Sequence, residues 1–240
     1  MKLRQVYRIF KMDRNVALIP IRSGSKSIKD KNINLFLGKP LVFWTIKHAL
    51  ESSLIDRVLV STDSKKYAEI AVSLGAEVPF LRPAELAVDT SSTEDVMMHC
   101  DQFLQNDGYV YSRMVLLQCT SPIRRKTLID DCVTQLIDTK GDTLLTVTED
   151  HSFGWYDKKK PIADYDYKRR PRRQDISSCD QRLRETGSVY VTTSSALRKY
   201  KNRLGGNIQL FRSSRIESFE IDEPEDWTVL ERLATQFYGI

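Results

Sequence analysis

Nothing in the 240 residues approaches an apolar run long enough to span a membrane, and the N-terminus has no signal-peptide core. No membrane partner is expected, and a cytoplasmic setting fits. The four cysteines, Cys100, Cys119, Cys132 and Cys179, show neither metal-ligand nor disulfide spacing. Three of them sit in apolar or helical contexts, where cysteine serves as a small core residue. His48 and His99 both fall in predicted helices, where a lone histidine is a packing residue more often than a catalytic one. The glycine motifs that mark the common nucleotide folds are missing too. There is no GxxxxGK[ST] and no GxGxxG, which removes the support for a P-loop ATPase or a Rossmann dehydrogenase. Nor is charge of one sign dominant. With 37 basic and 32 acidic residues the net charge is +5, too balanced to indicate nucleic acid. No internal repeat is visible.

The hydrophobic share of 41% and the charged share of 29% are those of an ordinary globular chain, long enough for a substantial core. Residues 1–14 read as an N-terminal extension, either a short amphipathic arm or a frayed end with a second start-like Met12. Residues 15–240 then form one domain. Short apolar runs alternate with helical patterns, which predicts an α/β fold around a mostly parallel sheet. Strands are expected at Val16–Ile21, Arg57–Ser61, Met114–Gln118, Thr143–Val147, Ser188–Thr192 and Ser218–Ile221. Helices are expected at Leu41–Ser52, Lys65–Leu74 (closed by Gly75), Glu94–Leu104 and Leu128–Thr139, with another starting in the acidic, proline-containing segment after Asp222. Periodicity fails from about 150 to 185, a basic and aromatic stretch that reads as an inserted arm.

Residues 22–32, RSGSKSIKDKN, follow the first strand, where open parallel sheets bind ligands. Arg22, Lys26, Lys29 and Lys31 supply cations, and Gly24 with Ser23, Ser25 and Ser27 leaves backbone N–H groups accessible. Together these suit phosphate oxygens, although a solvated basic loop has the same composition. A triphosphate also calls for a divalent cation on hard oxygen ligands. Glu220 and Asp222, alternate residues of the last predicted strand, are the candidates, with an N-cap as the other reading of Asp222.

Seven stretches, in order, resemble the acylneuraminate cytidylyltransferase family, the CMP-sialic acid synthetases and their relatives. IPIRSGSKSIKDKN (19–32) is similar to IPARGGSKGIPxKN, LGKPLVFWTI (37–46) to LxGKPLIxxTI, and VSTDS (60–64) to VSTDD. PFLRPAELAVDTSST (79–93) resembles xxxRPxELAxDTASS, and LLQCTSPIR (116–124) resembles LLQPTSPLR. RETGSVYVT (184–192) is similar to RxNGAIYIT, and FEIDEPEDW (219–227) to xDIDTPEDW.

The resemblance implies a nucleotidyltransferase α/β domain with a Rossmann-like, mostly parallel sheet and a projecting dimerisation arm, hence a homodimer. It implies transfer of CMP from CTP to the anomeric hydroxyl of a nine-carbon 2-keto-3-deoxy sugar acid, with Mg²⁺ as cofactor. Arg22, Ser25, Lys26, Lys31 and Asn32 match the nucleotide loop, and Arg82 and Thr93 match positions that hold cytidine. Gln118, Arg172 or Arg173, Arg184 and Tyr190 match acceptor-side positions, and Asp222 the metal-binding aspartate. Arg22, Lys31 and Asp222 are thereby the expected catalytic groups. Departures gather on the acceptor side: Glu220 replaces an aspartate, Cys119 a proline and Thr186 an asparagine, and no lysine stands near Ser152 and Phe153. Two alternatives remain open, a CMP-Kdo synthetase-like enzyme and a catalytically silent sugar-nucleotide binder.

Overall fold

The computed structural model describes residues 13–175 and 181–240. Its main strands are β1 (Asn15–Pro20), β4 (Arg57–Ser61), β5 (Arg113–Leu117), β6 (Thr143–Glu149), β9 (Leu183–Thr193) and β10 (Ile208–Arg212), with a small antiparallel pair, β2 (Leu35–Phe36) and β3 (Lys39–Pro40), after β1. The six main strands form one sheet in the order β10-β6-β9-β5-β1-β4. The pairs β1–β4, β1–β5 and β6–β10 are parallel, and β9 alone runs antiparallel to its neighbours. The expected mostly parallel α/β sheet is therefore present.

Alternation along the strands divides the core into two layers. Ala17, Ile19, Val115 and Leu117 face one side, under helices α1 (Leu41–Glu51), α2 (Lys65–Ser73) and α4 (Leu128–Asp138). Val16, Leu18, Met114 and Leu116 face the other, under α3 (Thr93–Asn106) and α5 (Ser194–Tyr200). A third cluster packs α6 (Pro224–Tyr238) against Phe36, Leu41 and Trp44 of α1 and its entry. Because α1 and α3 lie on opposite faces, the chain leaves β1 toward one side and enters β5 from the other. The gap beyond β1 and β5 is the switch point at which open sheets bind ligands.

Most boundaries match the sequence pattern within two residues, and their caps explain them. Ser64 accepts the Tyr67 N–H at the start of α2, and Gly75, at φ 93°, ends that turn in the left-handed region. Ser92 and Asp95 form a reciprocal capping box at α3, and Glu223 and Asp226 do the same at α6, with Pro224 in its first turn.

Three differences matter. The strand expected at Ser218–Ile221 is absent. Arg215–Ser218 is a 3-10 turn and the chain then runs extended outside the sheet, with Ile221 N–H donating to the carbonyl of Thr120 after β5 at 2.8 Å. The edge position belongs instead to β10, whose alternating exposed residues gave no apolar run. Finally, β9 begins at Leu183, inside the stretch expected to be irregular.

Within that stretch a short hairpin, β7 (Trp155–Tyr156) with β8 (Ile162–Ala163), is followed by two 3-10 turns, Tyr167–Arg169 and Arg173–Asp175. Asp13 and Arg14, placed in the N-terminal extension by pattern, join the domain. Asp13 pairs with Arg113 at 2.8 Å and Arg14 lies over the Tyr109 ring at 5.0 Å. The rest of the proposed extension, residues 1–12, and Cys179 lie outside the described residues.

Candidate active site

A cavity of about 290 Å³ opens at the carboxyl ends of β1 and β5. Arg22, Ser25, Lys31 and Asn32 from the loop after β1 line it, as do Arg82, Thr93 and Gln118. Arg22 and Gln118, 96 positions apart in sequence, thus share one wall. Of the seven residues assigned to the nucleotide, only Lys26 is not in the wall. It lies on the rim, largely exposed, paired with Asp89 at 2.7 Å. Lys29 is exposed and outside the wall, so three of the loop's four cations serve the site.

The loop is held by its own polar side chains. Asp63, just past β4, accepts the Ser23 N–H at 2.9 Å and the Ser23 hydroxyl at 2.6 Å. Burial raises the Asp63 pKa, but those two hydrogen bonds and the nearby Arg82 charge outweigh it and leave the carboxyl below its ordinary value. Asp30, in the left-handed region at φ 55°, accepts the Tyr67 hydroxyl at 2.8 Å. Asn32 donates to the Arg22 carbonyl at 3.2 Å, closing the loop on itself. Lys31 is buried and donates to the Ile221 carbonyl at 2.8 Å, with Asp222 Oδ1 3.6 Å from its Nζ. Arg82 is also buried, donating to the Ser61 hydroxyl at 3.0 Å and the Ser61 carbonyl at 2.5 Å. Burial, with Arg22 adding to it and Asp63 opposing, brings the Arg82 pKa down to about 10, so it stays cationic at neutral pH.

Asp222 is not the N-cap of α6. Glu223 takes that position, and the Asp222 backbone N–H donates to Asp226 Oδ2 at 2.9 Å. The Asp222 carboxylate is therefore left for Lys31, outside the wall of the cavity, while its carbonyl accepts the Ser27 hydroxyl at 2.5 Å. Glu220 lies on the other side of the fully buried Ile221. Its pKa is pushed up to about 7, first by burial, then by the Asp222 charge, with Arg184 and Lys31 partly opposing and Glu185 adding. Two crowded carboxylates with hard oxygens suit a divalent cation. Among the described residues no group of three or more acidic, histidine or cysteine side chains converges. Glu220 and Asp222 are thus two hard donors, a set that fits Mg²⁺ when phosphate oxygens and water complete the shell.

Between β6 and β9 the main feature is a large bulge. Between Leu145↔Tyr190 and Val147↔Glu185 the chain takes two steps along β6 and five along β9. Thr146 fills this space, its hydroxyl 2.7 Å from that of Thr186 and accepting the Val189 N–H at 3.1 Å. Thr186 is fully buried, so its hydroxyl closes the sheet and does not face a ligand. Gly187 follows at φ 64°. A Cβ there would stand 2.2 Å from Glu220 Oε1 and 2.8 Å from Gln118 Oε1. Only glycine lets Glu220 and Gln118 approach this backbone.

Arg184 does not line the first cavity. It donates to the Ser218 carbonyl at 3.2 Å and borders a second, about 620 Å³, together with Arg212, Arg215 and residues 148–152. Tyr190 lines neither cavity. It is buried in the α3/α5 layer under Arg203, and its hydroxyl donates to Glu185. Arg172 is held on the surface by Asp175 at 2.7 Å. The Arg173 side chain lies outside the described residues.

Three residues were not found by sequence reasoning. Asp63 and Asp89 look like ordinary surface acids until the fold sets them on the loop. Arg124 reads as one more loop cation, yet it is completely buried. It donates to the Gln118 carbonyl (2.6 Å), the Ser188 carbonyl (3.0 Å) and the Thr45 hydroxyl (3.1 Å), joining the end of β5 to the bulge. Burial brings its pKa down to about 10. His48 and His99 line neither cavity, in keeping with packing roles.

The chain is 33% identical over 226 residues to the CMP-N,N'-diacetyllegionaminic acid synthase of Legionella pneumophila, covering 92% of this chain and 96% of that one. It is 31% identical to the pseudaminic acid cytidylyltransferase of Campylobacter jejuni over 76% of this chain and 80% of that one. Among solved structures, a CMP:2-keto-3-deoxy-manno-octonic acid synthetase complexed with CTP superposes with a TM-score of 0.69, at 16% identity, over 93% and 99% of the two chains. That likeness is one of fold. The family model for cytidylyltransferases matches residues 16–238. With that match running through β1, the phosphate loop, the bulge and α6, the chain belongs to the cytidylyltransferase family.

Proposed function

We propose that this protein transfers CMP from CTP to the anomeric hydroxyl of a nine-carbon 2-keto-3-deoxy (nonulosonic) acid, releasing pyrophosphate. The observation that carries this is the cavity beyond β1 and β5, where Arg22, Lys31 and Arg82 meet Gln118 and where Lys31 Nζ lies 3.6 Å from the Asp222 carboxylate. The names of its relatives, synthases and cytidylyltransferases of legionaminic and pseudaminic acids, support the same acceptor class.

In this scheme Arg82 and Thr93 hold the cytidine, Asn32 sits by the ribose, and Ser25 with the loop N–H groups takes phosphate oxygens. Arg22, Lys26 and Lys31 stabilise the charge that builds on the departing pyrophosphate. The acceptor hydroxyl attacks the α-phosphorus as the bond to the β-phosphate oxygen breaks. Asp222 and Glu220 would hold Mg²⁺, which when bound polarises the α-phosphate and lowers the pKa of the attacking hydroxyl. Gln118, fixed through Arg124, and Arg184 orient the acid. The 620 Å³ space beside Arg184 would take the nine-carbon chain. Arg173 and Tyr190 keep their proposed acceptor-side assignment through the family pattern, Tyr190 acting from behind through Glu185.

The homodimer is part of this proposal. Trp155, Tyr156, Ile162 and Tyr167 of the hairpin and its flank are each more than half exposed, an apolar surface suited to a second copy. Sedimentation at working concentration distinguishes dimer from monomer. No helix is long and apolar enough to cross a membrane among the described residues.

The function is tested by pyrophosphate release from CTP against a panel of nine-carbon acids with Kdo as the eight-carbon member. Release with a nine-carbon acid supports the proposal. Release with Kdo alone favours the octonic reading, and CTP binding without release favours a silent binder.

A further inference from the structure

Asp89 lies in the loop that connects the 3-10 turn Ala84–Leu86 to α3, and its carboxylate bridges the two outer cations of the phosphate loop. Oδ1 is 2.6 Å from Arg22 Nη1 and Oδ2 is 2.7 Å from Lys26 Nζ. Among the described residues neither cation has another ion-pair partner. The arrangement is that of one anion held by two cations through two oxygens, which is how a phosphate group would be held at the same place. The Asp89 side chain is 44% exposed and Lys26 74%, so exchange of one anion for another requires no unpacking. Other supports of the loop, such as Asp63 on Ser23 and Ile221 on Lys31, do not use these two side chains. Asp89 is therefore dispensable to the loop's anchoring while it competes directly for its charge.

We propose that Asp89 is an internal competitor for the polyphosphate. It pairs with Arg22 and Lys26 whenever phosphate does not, gives them up to the triphosphate of CTP, and takes them back as pyrophosphate leaves. The residue thereby sets how tightly the site holds its polyanionic substrate and product. Pyrophosphate carries several charges into a cationic loop. Without a replacement anion, its departure would expose two unpaired cations. The inference rests on the cytidylyltransferase reading of the site.

The test compares wild type with Asp89→Asn by titration calorimetry, using CTP without acceptor, inorganic pyrophosphate, and cytidine. Loss of two partly exposed ion pairs from the competing state should tighten CTP and pyrophosphate about three- to tenfold. Cytidine, which reaches neither cation, should bind unchanged. Product inhibition by pyrophosphate should strengthen by the same factor, and Asp89→Glu should behave like wild type. If CTP and pyrophosphate bind Asp89→Asn as they bind wild type, or more weakly, Asp89 is not a competitor but an inert or positioning group, and the inference is overturned. Asp89→Ser carries the same expectation should the Asn variant not fold. Absence of CTP binding by wild type itself would overturn the functional reading and this inference together, which separates the two failures.

Discussion

Lys31 and Asp222, near opposite ends of the chain, meet with Nζ 3.6 Å from Oδ1 while the same Nζ donates to the Ile221 carbonyl at 2.8 Å. Lys31 is buried and Asp222 exposed, so the lysine acts as a fixed strut that holds the carboxylate segment against the phosphate loop. A cation in this position serves two ends: it anchors the backbone that carries Glu220 and Asp222, and it reaches the cavity.

Replacing Asp222 with Ala removes an exposed carboxylate beside Lys31 without touching the core. Turnover should fall by at least about a hundredfold, the size typical of losing a charge-stabilising contact in the transition state. The melting temperature should change by no more than about 2 °C, because substitutions at exposed positions usually have small effects. Steady-state kinetics with a thermal melt check both.

Gly187→Ala places a methyl group where the Glu220 carboxylate and the Gln118 amide now stand, and at a positive φ. The substitution should cost about 1–3 kcal/mol of stability. It should also raise the acceptor KM more than the CTP KM, since the displaced side chains lie on the acceptor side. Urea unfolding and two-substrate kinetics read these effects separately.

Arg124→Met leaves the carbonyls of Gln118 and Ser188 without their buried donor. The loss should be about 2–4 kcal/mol, since unsatisfied buried acceptors are costly while the cation's own desolvation is relieved. Arg124→Lys should recover only part of it, because one ammonium cannot reproduce three divergent contacts. Denaturant midpoints at constant m-value test this.

His48 is buried against Tyr238, and burial, with the charges of Arg124 and Lys47 adding, brings its pKa down to about 3. In the unfolded chain it titrates near 6.5. Between these values the unfolded state binds the extra proton, so the His48 contribution to stability falls as pH drops below 6.5, by roughly 1.4 kcal/mol per pH unit, while Glu220, with its carboxyl raised to about 7, contributes with the opposite sign over the same range. His48→Asn removes the first contribution and leaves the second, so the variant should gain stability relative to wild type as pH falls from 6.5 to 5. Melting temperatures across this window provide the check.

How far the sequence carried the fold can be judged residue by residue. VALIPI and RMVLL are apolar throughout because both sheet faces are covered, so β1 and β5 were visible as strands. Arg22, Lys31, Asn32, Arg82 and Thr93 line one cavity, and each sits in a short motif that singles it out in the sequence. FEI before Asp222 alternates like a strand, but its backbone pairs only once with the chain after β5 and never enters the sheet. IQLFR is half exposed at the sheet edge, so its pattern is weak. The roles of Thr186 and Arg124 depend on a bulge formed between β6 and β9, and no local pattern encodes a register shift between strands about forty residues apart. Tyr190 points to the α3/α5 layer for a similar reason: the face a residue takes after a bulge is set by the bulge.

The central claim is tested most directly by incubating the protein with CTP, Mg²⁺ and the nine-carbon acids singly and weighing the products. The account predicts a species whose mass is that of the acid plus CMP less one water, formed with one pyrophosphate per molecule and lost in Asp222→Ala. A folded protein that binds CTP yet yields no such ester with any nonulosonic acid would contradict it.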